Sequence, residues 1–253
     1  NVVYNDVVIK KGYICDIKSY KLYFNYNVCE NVILKISNLD NELSKTAKKL
    51  NMYTNEKYFY DNISKIININ IPKYYGGFIE NKRIGLLLED LTIYNGSFNI
   101  DLNNNINLLL KVINDIYDIH SKYVFYSNKN IIGGFKNLKK INEISHYSNL
   151  INNKFFIFIG KNKHFISKKQ ICILTNIYNN YTKILNHLST FPLSFCHGDL
   201  KSPNIFYKNN KEPYFLDWQY IHLNKGVSDI VFLCIESIKF DINIVNIIEK
   251  YYY

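Results

Sequence analysis

Cys196–Asn204 reads CHGDLKSPN, and thirteen residues beyond Asn204 stands Asp217, in the tetrapeptide LDWQ of Leu216–Gln219. Asn204 follows Asp199 by five residues, on a stretch whose Gly and Pro suit a tight loop. The apolar run Tyr214–Leu216 reads as a short strand that delivers Asp217 at its end. Phosphoryl transfer needs a carboxylate to orient an attacking hydroxyl and accept its proton. It also needs oxygen ligands that hold magnesium against the nucleotide phosphates. Magnesium takes few protein oxygens beside phosphate oxygens and water, and Asn204 with Asp217 meets that demand.

HGDLxxxN, then a short hairpin, then D-W-Q resembles the motif pair of the aminoglycoside phosphotransferase and choline kinase superfamily. The nearest likeness is to the ecdysteroid-kinase-like (CHK kinase-like) group, whose second motif is usually D-F-Q. The resemblance implies an α+β, two-lobed protein-kinase-like fold. An N-terminal antiparallel sheet lobe with a helix would occupy residues 1–91, and a larger, mainly helical lobe residues 92–253. It implies transfer of the γ-phosphate of ATP, with Mg2+, to a hydroxyl of a small molecule. By this resemblance Asp199 would be the catalytic base, His197 the brace of its loop, and Asn204 and Asp217 the magnesium ligands.

The N-terminal half supplies the other expected parts. Tyr20–Tyr26 and Asn31–Ser37 are aromatic and β-branched runs split by a polar turn, which predicts a hairpin, and Glu42–Asn62 predicts one or two helices. Kinase-like lobes use a strand Lys for the α- and β-phosphates and a helix Glu to position it. Lys35, in VILKIS, and Glu56, in NEKYFYDNI, stand in that order. Ile71–Leu91 resembles the strand pair leading to the hinge, where main-chain groups around Glu89–Leu91 would meet the adenine edge. A phosphate-covering loop is expected around Gly12–Ser19, with Ser19 near the phosphates, although GYICDIKS holds a single glycine.

Further along, Ile106, Leu109, Leu110, Ile113, Ile116, Tyr117 and His120 at helical spacing predict an amphipathic helix over Asn104–Lys122, and a second helix is predicted over Lys169–Leu188. Asn128–Lys168 between them reads as loops and short helices. By the resemblance, His120 matches a family position near the end of its helix, and Asp229 opens a helix after the second motif with a structural role.

Lys201 makes the string H-x-D-L-K-x-x-N, which also occurs in Ser/Thr protein kinases, where that Lys neutralises the transferred phosphate. Against a protein kinase stand D-W-Q in place of D-F-G, the lack of A-P-E, and the 36 residues that follow Asp217. The long span from Leu91 to His197 suits a helical insertion that builds a small-molecule pocket. A nucleotide-binding pseudokinase is the alternative from another class: the thin glycine loop favours it, and the set Lys35, Glu56, Asp199, Asn204 and Asp217 opposes it.

Between Thr92 and Thr190 stand four acids and twelve lysines, so a polycationic acceptor is poorly served and a neutral or anionic alcohol is expected. Choline stays open, since tyrosines could cage a quaternary amine. The net charge of +10 arises from lysines spread along a chain rich in Asn, Ile, Lys and Tyr, a bias of AT-rich codons, so no nucleic-acid partner is expected. Five cysteines without a C-x-x-C pair argue against a zinc knuckle or disulfide framework, and no apolar run is long enough for a membrane span. A cytoplasmic protein is the expectation.

Overall fold

The computed structural model describes residues 2–11, 14–24 and 28–239, together with residues 243, 245, 246, 248 and 249. Its first part is an antiparallel sheet in the order β1-β2-β3-β5-β4, formed by β1 (Val2–Lys11), β2 (Cys15–Phe24), β3 (Val28–Ser37), β4 (Tyr74–Glu80) and β5 (Arg83–Glu89). The β2–β3 hairpin runs in continuous register from Cys15 opposite Ser37 to Phe24 opposite Val28. It therefore starts earlier than the aromatic run suggests. CDIKS alternates apolar and polar residues, and it enters the ladder as strand instead of forming a phosphate-covering loop. Gly12 and Tyr13 of the expected loop lie outside the described residues. The carbonyl of Ile14 accepts from the Asn38 N–H at 2.9 Å and from the Tyr53 hydroxyl at 2.7 Å.

Between β3 and β4 run α1 (Glu42–Lys49) and α2 (Met52–Tyr58). Asn41 caps α1 by accepting from the Ser44 N–H at 2.7 Å. A π-helical turn, Phe59–Ile63, extends α2 and buries Phe59, Tyr60 and Ile63. A 3-10 turn at Leu91–Ile93 and β6 (Gly96–Phe98) lead into the second part, where β6 pairs with β9 (Ile205–Lys208).

That second part is mainly helical: α3 (Ile106–Lys122), β7 (Val124–Phe125), α4 (Ser145–Asn162), α5 (Lys168–Leu188), β8 (Leu193–Cys196), β10 (Glu212–Phe215), β11 (His222–Asn224) and α6 (Val227–Ser237). Two small sheets, β10-β9-β6 and β11-β8-β7, carry the loops of the site. Together the parts form the two-lobed, α+β protein-kinase-like fold. Among the described residues, no helix is long and apolar enough to cross a membrane.

Two differences from the sequence reading stand out. α3 begins at Ile106 and is rotated: Leu108, Val112 and Ile119 are buried with Leu109, Ile113 and Ile116, while Ile106 and Tyr117 face outward. The stretch expected to be loops and short helices contains the 18-residue α4. Its FFIFI segment has no 3.6-residue period, and aromatic and β-branched residues are weak helix formers, so the local signal is absent.

Trp218, Phe59 and Phe195 form a cluster of nearly parallel rings, Trp218 lying 4.1 Å from Phe59 and 5.9 Å from Phe195 between centroids, with 6.5 Å between the two phenylalanines. This stack joins the helix beside the first sheet to strand β8, and it belongs to a core that runs through both lobes.

Candidate active site

The peptide from β8 to Asp199 turns sharply, and Gly198 makes the turn possible. Its φ is +82°, and a Cβ there would lie 2.3 Å from the Tyr220 carbonyl oxygen. The amide N–H groups of His197 and Gly198 donate to the two oxygens of Asp229, at 2.7 and 2.8 Å. The His120 Nε2 reaches the same carboxylate at 3.2 Å. Burial opposes ionisation of Asp229, but the bonds from His120 and the charges and amides around it hold its carboxyl below the ordinary range. Asp229 is thus the buried anchor of the HGD loop, and His120 belongs to that anchor.

His197 points the other way. Its Nε2 donates to the Leu216 carbonyl at 2.8 Å, and its Nδ1 accepts from the Asp199 N–H at 3.2 Å. One ring therefore ties the HGD loop to the strand that presents Asp217. Asn204 adds a second tie: its carbonyl accepts from the Leu216 N–H at 2.9 Å, while its Nδ2 donates to Asp199 Oδ2 at 2.8 Å and to the Asp199 carbonyl at 2.9 Å. With the amide nitrogen so engaged, Oδ1 is presented as an acceptor. Lys201 Nζ lies 3.0 Å from Asp199 Oδ1.

Across the cleft, Lys35 of β3 is buried at 8% exposure. Its ammonium donates to Glu56 Oε1 at 2.8 Å and pairs with Asp217 Oδ1. Desolvation would strip its proton, yet Asp217 and Glu56 outweigh that cost and raise its pKa well above the ordinary lysine value. Burial pushes Glu56 up, with Lys35 opposing. For Asp217 desolvation also disfavours the charge, and the Lys35 ammonium wins, holding the carboxyl low. Asp217 itself adopts left-handed backbone, φ +58°, which Asp tolerates better than most residues and which swings its carboxylate into the cleft.

Lys35, Glu56 and Asp217 line one cleft of about 350 Å³, walled by Ile17, Ile33, Leu88, Phe98 and Leu216. His197, Asp199, Lys201 and Asn204 form the loop beside it, joined to the Leu216 main chain through His197 and Asn204. Flat apolar walls from both lobes suit a purine base, and an all-oxygen donor set from Asn204 and Asp217 suits magnesium better than a soft transition metal. Cys15 lines the same cleft, where burial pushes its thiol up to about 12, so it packs and does not ionise.

Ser19 is not placed by a phosphate loop. It sits inside β2, opposite Ile33, and its hydroxyl donates to Asp90 Oδ2 at 2.8 Å. The other oxygen of Asp90 caps the hinge turn, accepting from the Thr92 N–H at 3.0 Å. Two of the three hinge amides are committed to the fold, Glu89 to the Lys73 carbonyl and Asp90 to the Asn31 carbonyl. The Glu89 carboxylate is turned to the Lys73 N–H and the Tyr94 hydroxyl, and Leu91 is buried. Sequence reasoning also passed over Gln219, whose Nε2 donates to Glu56 Oε2 at 3.2 Å and so fixes the second oxygen of that carboxylate. Its place as third letter of D-W-Q was the available signal.

Residues 128–253 match the model of the ecdysteroid kinase-like family. No curated protein sequence matches the chain. Among solved structures, the choline kinase LicA from Streptococcus pneumoniae superposes with a TM-score of 0.58 at 18% identity, over 93% of this chain and 70% of that one. LicA in complex with AMP gives a TM-score of 0.59 at 14% identity, over 99% and 74%. The aminoglycoside phosphotransferase APH(4)-Ia, in a ternary complex with ADP and hygromycin B, gives 0.52 at 9% identity, over 91% and 71%. The ecdysteroid kinase-like match thus covers the C-terminal part of the chain, and its fold is the protein-kinase-like fold shared with LicA and APH(4)-Ia.

Proposed function

We propose that the protein is an ATP- and magnesium-dependent phosphotransferase that phosphorylates a hydroxyl of a small molecule. The observation that carries this reading is that Lys35, Glu56 and Asp217 line one cleft while His197 and Asn204 tie Asp199 to the strand end presenting Asp217, the carboxylates of Asp199 and Asp217 being held by different partners. Solved structures of similar fold include a choline kinase and an aminoglycoside phosphotransferase, in complexes with AMP and ADP.

In this reading Asp199 accepts a hydrogen bond from the acceptor hydroxyl and takes its proton as the oxygen attacks the γ-phosphorus. The bond from that phosphorus to the bridging oxygen breaks, and ADP leaves. Mg2+ held by Asn204 and Asp217 would supply charge neutralisation on the phosphate oxygens. Lys201, at 3.0 Å from Asp199, places positive charge beside the transferring group. Lys35 holds the α- and β-phosphates, and Glu56 with Gln219 keeps its ammonium in place. Main-chain groups of Glu89 and Leu91 meet the adenine edge. Ser19 acts on the nucleotide only through Asp90 and the hinge.

The acceptor is a neutral or anionic alcohol, because the insertion between Thr92 and Thr190 holds four acids against twelve lysines. Five free thiols fit the reducing cytoplasm expected for the protein. The test is phosphate transfer from Mg-ATP across a panel of alcohols, wild type against Asp199→Ala. The variant is expected to lose activity by on the order of a thousandfold while still binding ADP. Unchanged turnover in the variant would remove Asp199 as the base. Nucleotide binding without turnover in the wild type would favour the pseudokinase reading.

A further inference from the structure

α4 and α5 form an antiparallel hairpin joined by residues 163–167, with Ser167 capping α5 by accepting from the Gln170 N–H at 3.2 Å. The two helices hold each other through Phe155 stacked on Tyr178, with 4.3 Å between ring centroids. The hairpin is tied to the rest of the chain at its base, where Asn142 bonds Ser189 and Asn186, each at 3.1 Å. At 1.5 Å of rise per residue, α5 carries the turn roughly 30 Å from that base. Among the described residues of the hairpin, only Leu185, near the base, is buried.

The outer half of this arm exposes large apolar side chains. Phe165 in the turn is 86% exposed, the highest value for any large apolar residue among the described ones, and Phe156, Ile157, Phe158 and Ile173 are each about half exposed or more. Lys161, Lys163, Lys168 and Lys169 surround the same turn, all exposed. The charge here does not come from extra lysine. Between Glu143 and Asp199 there are six lysines, near the average density of the chain, and no aspartate or glutamate at all. Acids that offset lysine elsewhere in the chain are missing from this stretch, the longest without one.

We propose that the tip of the α4–α5 hairpin docks on an anionic phospholipid surface, with Lys161, Lys163, Lys168 and Lys169 at the headgroups and Phe158 and Phe165 in the acyl boundary. Apolar side chains spread over more than one helix face need a fluid, shapeless receptor, which a bilayer provides and a folded partner does not. A second copy would bring two uncompensated lysine clusters together, so charge opposes self-association through this face. Aliphatic Ile157 and Ile173 have no counterpart in a phosphate backbone, which sets nucleic acid aside.

Co-sedimentation with phosphatidylcholine vesicles, with and without phosphatidylserine, tests the proposal on the full chain. Binding is expected only with phosphatidylserine and falls with added salt. Replacing the four lysines by Gln should weaken it by on the order of a hundredfold, and Phe165→Ser by about tenfold. In both variants the thermal shift with Mg-ADP should match wild type, so a folding defect is visible separately. Binding to neither vesicle, equal binding to both, or full binding by the variants would overturn the proposal. A concentration-dependent dimer abolished by Phe165→Ser would also overturn it, assigning the face to a second copy.

Discussion

The floor of the cleft, Ser194–Asp229, and the helical arm, Ser145–Leu188, use their side chains in opposite ways. In the floor, the polar groups around the loop are buried and matched to partners: Asp229 takes two amides and His120, His197 bridges Asp199 and Leu216, and Asn204 fixes Asp199, the Tyr207 hydroxyl and His222 Nε2 being exceptions. In the arm, large apolar groups stand in solvent, and among the described residues only Leu185 is buried. A buried polar group must find its partner or cost several kcal/mol, so each floor residue fixes the identity of another. The arm needs only helix formation and whatever its surface meets.

That contrast can be broken experimentally. The largest effect is expected for Trp218→Ala, which leaves a cavity beside Phe59 and Phe195 and should cost about 3–5 kcal/mol in denaturant unfolding. Next comes Asp229→Asn, at about 2–3 kcal/mol, because one of the two amide acceptors becomes a donor. This second difference carries a pH signature. The folded-state pKa of Asp229 lies below 3.8, so its contribution is complete above that value and lost as pH falls through the folded pKa. Wild type and variant should converge in acid, and a gap that stays constant there would remove the ionised anchor from the explanation.

Gly198→Ala should cost about 1–3 kcal/mol, from left-handed backbone and the clash with Tyr220, with a matching loss of phosphate transfer. The smallest effect belongs to the arm: Phe156→Ser or Ile173→Ser should move stability by no more than about 0.5 kcal/mol. A cost there as large as that of Trp218→Ala would mean the arm is buried in solution, and the comparison would fail.

The same contrast governs what could be read in the sequence. CHGDLKSPN and LDWQ were legible because the chemistry prescribes residue types at set spacing, and Lys35 and Glu56 were found by their order on a strand and a helix. The apolar period of α3 marked a helix, though not its rotation, which is set by packing against β8 and the residues around it. α4 was illegible because a helix lacking a buried stripe has no period to find. Ser19 was misplaced by one structural fact, the length of β2, which turned a loop residue into a strand residue bonded to the hinge. Gln219 shows another limit: its bond to Glu56 spans 163 residues and leaves no trace in local spacing.

The contact between Lys35 and Asp217 spans 182 residues. A ribosome adding about 5–20 residues per second separates the appearance of these two groups by roughly 10–40 s. Through that interval the strand carrying Lys35 and the helix carrying Glu56 exist without the acid that completes their charge balance. The nascent sheet lobe can pair its strands early, but its cleft-facing lysine waits until Asp217 has been made. A premature stop between Glu56 and Asp217 therefore yields a lobe with its buried cation only half compensated, a species suited to chaperone retention or proteolysis.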